Sequence, residues 1–258
     1  MERIVIVTGA TKGLGKELVG LLEREDKVIK IARNIDPNDP MQYSCDVSDE
    51  NAVKNVVDDV VKRFGRIDLL INNAGYGMSG ISELIPTDEI RNIYSVNLFG
   101  CVYFTNLCLP HMQKGSRIIN IGSAMEFFPL PYRAYYASSK SALSALSIAQ
   151  RMECEQLGVD ITVVCPGDIK TTFVKNRVKK FETNERYGDS IKKATEKVDA
   201  RENKRMRVEY VANKIFKIAN KKKTKPRYII GKKYKFLHFL TRFFPYGLVI
   251  KVIKKMCG

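Results

Sequence analysis

Arg3-Ile4-Val5-Ile6-Val7-Thr8-Gly9-Ala10-Thr11-Lys12-Gly13-Leu14-Gly15 opens the chain, and its reading decides the fold. A β-branched run gives way to a glycine-rich loop, and Leu18, Leu21 and Leu22 then recur at helical spacing. Strand, glycine loop and helix in that order lay out a dinucleotide site. Glycines let backbone amides approach a pyrophosphate, and a helix N-terminus adds partial positive charge. The spacing is GxxxGxG, not GxGxxG. Its place after the first strand is what separates it from a plain glycine turn.

Working outward, Lys27-Val28-Ile29-Lys30-Ile31-Ala32 reads as a second strand, ending Ala32-Arg33-Asn34. An acid at this strand end would hold a free ribose 2′-hydroxyl and repel a 2′-phosphate. An arginine binds a phosphate in a fork, and Lys12 in the loop can add a second cation. Asp36, the nearest acid, lies past the strand end and precedes Pro37. The pattern therefore favours NADP(H) over NAD. Little room remains for a helix before the next strand, residues 41–45. Ser48 is read as the cap of a helix whose apolar face is Val53, Val56, Val57, Val60 and Val61. Residues 67–71 form a fourth strand ending Asn72-Asn73-Ala74-Gly75. A long helix over residues 90–113 carries Asn97, and residues 117–121 form a fifth strand delivering Gly122-Ser123. A helix over 135–157, a strand over 160–165 ending Pro166-Gly167-Asp168-Ile169-Lys170-Thr171, and a last strand over 226–231 complete the alternation. Strands alternating with helices predict an α/β fold: a Rossmann-like, doubly wound parallel sheet.

Tyr136-Ala137-Ser138-Ser139-Lys140 places a phenol and an ammonium four residues apart, hence on one helix face. Tyr135, five residues from Lys140, is the poorer match. A free phenol has a pKa of ~10 and is a weak acid–base group near neutrality. A cation about 4 Å away favours the phenolate by about 4 kcal/mol at an effective dielectric of 20. That corresponds to about three pKa units. The spacing therefore predicts that Lys140 pulls Tyr136 toward a working pH.

TGxxxGxG, NNAG, Asn97, Ser123, YxxxK and PGxxxT occur in this order between residue 3 and about residue 172. In this the chain resembles the classical short-chain dehydrogenase/reductase family, and the apolar residues 125–132 with the long basic region after PGxxxT resemble its hydroxysteroid- and retinol-dehydrogenase-like branch. The resemblance implies that Gly9, Gly13 and Gly15 form the pyrophosphate loop, with Thr11, Lys12 and Leu14 between them also binding cofactor. It implies adenine contacts for Asp46 and Val47, and places Asn73, Ala74 and Gly75 along the adenine ribose. Pro166, Gly167, Ile169 and Thr171 border the nicotinamide, with the Thr171 hydroxyl on its carboxamide. Asn97, Ser123, Tyr136 and Lys140 match the catalytic tetrad. Ser123 then stabilises the carbonyl oxygen, Tyr136 transfers the proton, Lys140 also holds the nicotinamide ribose, and Asn97 anchors a water leading to solvent. A homo-oligomer, dimer or tetramer, is implied as well.

The formal net charge of +16 is uneven. Residues 1–169 hold 17 Lys/Arg against 21 Asp/Glu, whereas residues 170–258 hold 27 against 7. No nucleic-acid motif accompanies this charge, so nucleic-acid binding is not expected. Six scattered cysteines and two histidines exclude a zinc pattern and fit reduced, buried thiols. The N-terminus runs straight into a strand with no leader pattern, and no apolar run reaches the ~20 residues of a membrane span. A cytoplasmic protein is expected, with peripheral membrane contact through its tail.

One domain spans 1–231, with residues 172–207 as a substrate lid, and 232–258 form a basic amphipathic extension. In that extension Phe236, Phe239, Leu240, Phe243 and Phe244, then Val249, Val252, Ile253 and Met256, form apolar stripes, with Lys251, Lys254 and Lys255 opposite the second. The tail either lies on anionic lipid, covers the substrate cleft or forms a subunit interface. Residues 125–132, Met-Glu-Phe-Phe-Pro-Leu-Pro-Tyr, lie between Ser123 and Tyr136 and are mostly apolar. The expected activity is NADP(H)-dependent hydride transfer to or from a lipophilic ketone or secondary alcohol, such as a steroid or bile acid. Two rivals stand beside it: reduction of a 3-oxoacyl group on an acidic carrier protein, and a cofactor-binding or membrane-associated protein without turnover.

Overall fold

The computed structural model describes residues 2–36, 38–171, 177–180, 182–199, 205–241 and 243–257. Of the lid region, residues 172–176, 181 and 200–204 lie outside the described residues, as do the side chains of Lys255 and Met256 in the tail.

Seven strands build the central sheet: β1 (Ile4–Thr8), β2 (Lys27–Ala32), β3 (Gln42–Ser44), β4 (Leu69–Asn72), β5 (Arg117–Ile121), β6 (Asp160–Pro166) and β7 (Arg227–Ile230). All pair in parallel, in the order β7-β6-β5-β4-β1-β2-β3. The register sets Val5 beside Val28 and Leu69, and Ile118 beside Leu70 and Ile161. The chain runs outward from β1 to β3, then returns to start again on the other side of β1. That reversal leaves a crevice beyond the carboxyl ends of β1 and β4, where an open α/β sheet takes its ligand.

Alternation along each strand feeds two cores. Val5 and Val7 point to one face, where α1 (Gly13–Leu22) and α7 (Val208–Ala219) contribute Leu18, Leu22, Val211 and Ile215. Ile4 and Ile6 point to the other, against α2 (Glu50–Phe64) and α4 (Gly100–Cys108), through Val53, Val57, Val60 and Phe104. α5 (Ala134–Glu153) packs beside them on β6. Arg117 and Arg151 both pair with Asp160, at 3.1 and 2.5 Å. Arg117 also donates to the Ile218, Ala219 and Lys221 carbonyls, tying the end of α7 to the sheet. α2 is capped by Asp49, whose carboxylate accepts from the Asn51 and Ala52 amides; Ser48 instead bonds the Asp46 side chain. The expected cap is therefore one residue early: the carboxylate sits next to the first helical residue and takes both free amides.

The helix expected over 90–113 begins earlier and changes pitch. α3 (Thr87–Tyr94) runs into a π-helical turn, Ser95–Phe99, then into α4 and a short 3-10 turn, Leu109–His111. In the π turn the Gly100 amide reaches back five residues to the Ser95 carbonyl. The continuous Thr87–His111 helix is long enough for a membrane span, and an 18-residue stretch within it reaches a mean hydropathy of 1.2, so that by length and composition it could cross one, which the apolar runs do not predict. Its buried Ile93, Asn97, Cys101, Phe104 and Cys108 explain that composition as core packing.

Two short parallel pairs rim the carboxyl end of the sheet: Met78–Ser79 with Val178–Lys179, and Ile169–Lys170 with Met206–Arg207. α6 (Ser190–Asp199) follows the first pair. The tail forms two helices, α8 (Lys232–Leu240) directly after β7 and α9 (Tyr246–Cys257), which packs against α6.

Candidate active site

A cavity of 1610 Å³ lies beyond the carboxyl ends of the strands. Gly9, Thr11, Lys12, Gly13, Leu14, Arg33, Asp46 and Val47 line it on one side of the switch point. Asn73, Ala74, Gly75, Ser123, Tyr136, Lys140, Pro166, Gly167, Ile169 and Thr171 line it on the other. Two expected residues stand behind this wall. Gly15 is a packing residue: a Cβ there would lie 2.1 Å from the Gly9 carbonyl oxygen, so only glycine lets α1 start so close to the loop. Asn97 is fully buried behind Gly75.

The loop is shaped to leave its amides to a ligand. Gly9 takes φ +64°, which a side chain would oppose, and a Cβ there would press on Asn73 and Ala74 at 3.0 Å. Thr8 and Asn73 hold the turn from below. The Thr8 hydroxyl accepts from the Asn73 and Ala74 amides, both at 2.9 Å, and the Asn73 side chain donates to the Thr8 and Gly9 carbonyls. Lys12 stands at the N-cap of α1, makes no side-chain cap, and the first turn has no acid. This cradle of tight glycines at an uncapped N-terminus fits a dinucleotide pyrophosphate. Arg33 is exposed at the end of β2 beside the cavity, near Asp46. Asp36 does not line the cavity; its carboxylate accepts from the Asn38 amide and side chain.

The π turn explains the buried Asn97. Its Oδ1 accepts the Tyr76 amide at 2.9 Å, and its Nδ2 donates to the Tyr76 carbonyl at 3.0 Å and to the Ser139 hydroxyl at 3.2 Å. Ser139 in turn donates to the Tyr136 carbonyl, so one amide joins the Gly75-Tyr76 segment to α5. Lys140 is buried, and its ammonium donates to the Ile121 carbonyl at 2.8 Å. Ser123, at the end of β5, hydrogen-bonds the Tyr136 phenol. Tyr135 is turned away, donating to the Ser82 carbonyl at 3.0 Å.

Contrary to what the YxxxK spacing predicts, the Tyr136 phenol is not drawn toward neutrality. Burial raises the Tyr136 pKa above that of a free phenol, outweighing the Ser123 hydrogen bond and the fields of Arg133 and Arg177. Burial likewise lowers the Lys140 pKa, against Cys101, Cys165 and Glu126. Helical spacing gives the direction of both side chains but not their desolvation, and desolvation dominates.

Residues 125–132 divide in two. Met125, Phe128 and Leu130 line the cavity. Glu126, on a 3-10 turn, points inward and is buried. It meets Arg227 at 3.0 Å and accepts from Ser144 and Cys165, at 3.0 and 3.3 Å. Burial raises its pKa, opposed chiefly by Arg227. Phe127 lies under the Arg227 guanidinium at 4.9 Å and against His238 at 4.1 Å, joining this segment to the tail. No periodicity marks such a buried acid in an apolar run. Glu126→Ala is expected to cost about 2–3 kcal/mol, less than the 3–5 of a wholly buried pair because Arg227 is 31% exposed. A thermal melt of the pure protein checks it.

The opposite wall comes from the tail. Tyr234, Leu237, Leu240, Phe244, Leu248 and Val252 all line the cavity. Tyr234 donates to Asp168 at 2.7 Å, and its ring occupies the space that a Cβ on Gly167 would need, 1.9 Å away.

Fold and site together define an oxidoreductase built to bind a nicotinamide dinucleotide. The model of the short chain dehydrogenase family matches residues 3–182, and the chain belongs to that family. It is 32% identical to 3-ketodihydrosphingosine reductase of Bacteroides thetaiotaomicron over 78% of this chain and 77% of that protein. It is 31% identical to the probable short-chain type dehydrogenase/reductase VdlC of Helicobacter pylori, over 94% and 93%. A short-chain dehydrogenase from Streptomyces avermitilis superposes with a TM-score of 0.82 at 26% identity, covering 99% of this chain and 94% of that one. Solved chains of this fold include one with NADP bound, 27% identical, and one with NADH, 20% identical and evidence of fold alone.

Proposed function

We propose that this chain is an NADP(H)-dependent oxidoreductase acting on a ketone or secondary alcohol of a lipophilic substrate. The observation that carries this reading is the cavity itself. Ser123 and Tyr136 stand on one side of it, and an apolar wall of Met125, Phe128, Leu130, Leu237 and Leu240 completes it. A small polar substrate would leave that wall wet; a lipid-like one covers it. A steroid or bile acid suits such a wall, and so does a ketone like the one in the name of the Bacteroides relative.

The roles follow from chemistry. Bound nicotinamide supplies or accepts the hydride at the substrate carbon. Ser123 donates a hydrogen bond to the carbonyl oxygen as charge develops there. Tyr136 donates its proton to that oxygen in reduction and takes it back in oxidation. The raised pKa of Tyr136 keeps the phenol protonated, which suits reduction. Lys140 orients the nicotinamide ribose, and Asn97 fixes the Gly75-Tyr76 edge beside it.

Arg33 and Lys12, both at the cavity edge, support a 2′-phosphate on the adenosine ribose. Arg33→Asp is expected to move the ratio of kcat/KM for NADPH over NADH by about 10–100-fold toward NADH, the worth of a charged hydrogen bond. Parallel assays of steroid, bile-acid, long-chain and carrier-bound 3-oxoacyl ketones with both cofactors test the whole reading. Better turnover with NADH sinks the cofactor assignment, and turnover confined to carrier-bound ketones sinks the substrate class.

A further inference from the structure

The tail does more than close the cavity. Twelve large apolar side chains are exposed on the described residues, and eight of them fall between Phe236 and Val252. Phe236, Phe239 and Phe243 are 55–67% exposed on α8 and the turn after it. Phe244, Leu248 and Val252 are 46–47% exposed and also line the cavity. The apolar surface of the tail is thus continuous with the cavity wall, and the cavity opens onto it.

The surrounding charge says what covers this face. Residues 232–258 contain no Asp or Glu. Lys232, Lys233, Lys235, Lys251 and Lys254 are exposed along the same two helices. A second copy docked about a two-fold axis would set one acid-free, lysine-bearing patch against another. Exposed apolar side chains and exposed lysines on the same two helices, with no acid among them, instead match the acyl boundary and anionic headgroups of a bilayer. α9 has 12 residues, about 18 Å at 1.5 Å each, too short to span a bilayer.

We propose that α8, α9 and the turn between them dock on an anionic lipid surface, and that the cavity fills from that surface. The docking half stands on the tail alone; the filling half rests on the lipophilic-substrate reading above. The test is flotation of the full chain with phosphatidylcholine–phosphatidylserine vesicles and with phosphatidylcholine alone. Binding to the anionic vesicles is expected to be at least tenfold tighter and to weaken with added salt. Phe239→Ser with Phe243→Ser, neither of which lines the cavity, is expected to reduce that binding at least tenfold. Lys251→Glu with Lys254→Glu should do the same. Both double variants should keep the far-ultraviolet dichroism and the NADPH affinity of the parent. If the Phe pair misfolds, salt dependence and the lysine pair decide.

Equal binding to both vesicles, or none, overturns the docking. So does light scattering that shows a dimer lost in the Phe239→Ser, Phe243→Ser variant. For the filling half, KM for a ketone presented in vesicles should rise at least tenfold in these variants, with turnover of a water-soluble ketone unchanged. An unchanged KM overturns it. Tight vesicle binding without turnover of any ketone would count against the proposed reaction and leave the docking in place.

Discussion

Tyr136→Phe is expected to lower kcat for NADPH-dependent ketone reduction by about 10²–10⁴-fold, the worth of a positioned general acid. NADPH affinity should stay within a few-fold. The substitution removes one oxygen and keeps the ring, which packs beside the cluster of Met78, Ile85 and Ile93. The lost hydrogen bond to Ser123 is worth about 1 kcal/mol, so melting should shift only modestly. Stopped-flow and steady-state assays with fluorescence titration of NADPH separate the two quantities. A variant within tenfold of the parent would remove Tyr136 from proton transfer.

The pH profile sharpens this prediction, and its sign depends on direction. Reduction needs the protonated phenol. Burial raises the Tyr136 pKa above its ordinary value, so the neutral form persists through neutral and mildly alkaline pH. The kcat/KM for reduction should therefore be flat there and fall only above the free phenol range of ~10. Oxidation needs the phenolate, so its rate should climb with pH over the same interval. Had Lys140 drawn the phenol down by about three units, as helical spacing and Coulomb's law suggest, reduction would already decline near neutrality. The two profiles distinguish these accounts without any variant.

What the sequence disclosed and what it hid divide along physical lines. The central strands are legible because each is a run such as Ile4-Val5-Ile6-Val7 whose two faces are both buried, whereas the outermost strands, Gln42–Ser44 and Arg227–Ile230, are only partly buried and follow from the alternation with helices. The cofactor cradle is legible because its glycines answer a local backbone need. The π turn is not, since apolar spacing reports a face and not a pitch; the extra residue shows only when the Gly100 amide reaches Ser95. Glu126 and Phe127 sit in an apolar stretch, yet turn away from the cavity because Arg227 and His238, about a hundred residues on, supply their partners. Such contacts leave no local periodicity. The tail shows both limits. Its amphipathic character is local, and its role as a cavity wall depends on Tyr234 finding Gly167 and Asp168.

Asn97→Ala is the other large effect, and it acts on stability and turnover together. Its amide group is wholly buried and satisfies both the N–H and the C=O of Tyr76. Removing it strands two backbone groups and one bond to Ser139. At about 1–3 kcal/mol for each unsatisfied buried group, a loss of about 2–4 kcal/mol is expected in denaturant titration. Gly75 links that loss to the chemistry. A Cβ there would sit 2.9 Å from Asn97 Oδ1 and 3.4 Å from Lys140 Nζ, so the Gly75-Tyr76 segment is packed between the amide and the ammonium. With Asn97 gone, this edge of the cavity loosens beside Lys140, and kcat should fall about 10–100-fold, the order by which small misplacements cost well-oriented reactions. Asn97→Asp separates the two effects. One carboxylate oxygen still accepts the Tyr76 amide, but the other faces the Tyr76 carbonyl with no proton to give unless the acid is protonated. Stability and turnover of this variant should therefore both recover as pH falls. Recovery of stability without turnover would show that loosening of the edge does not account for the lost turnover, because the edge would then be rebuilt and the reaction still impaired.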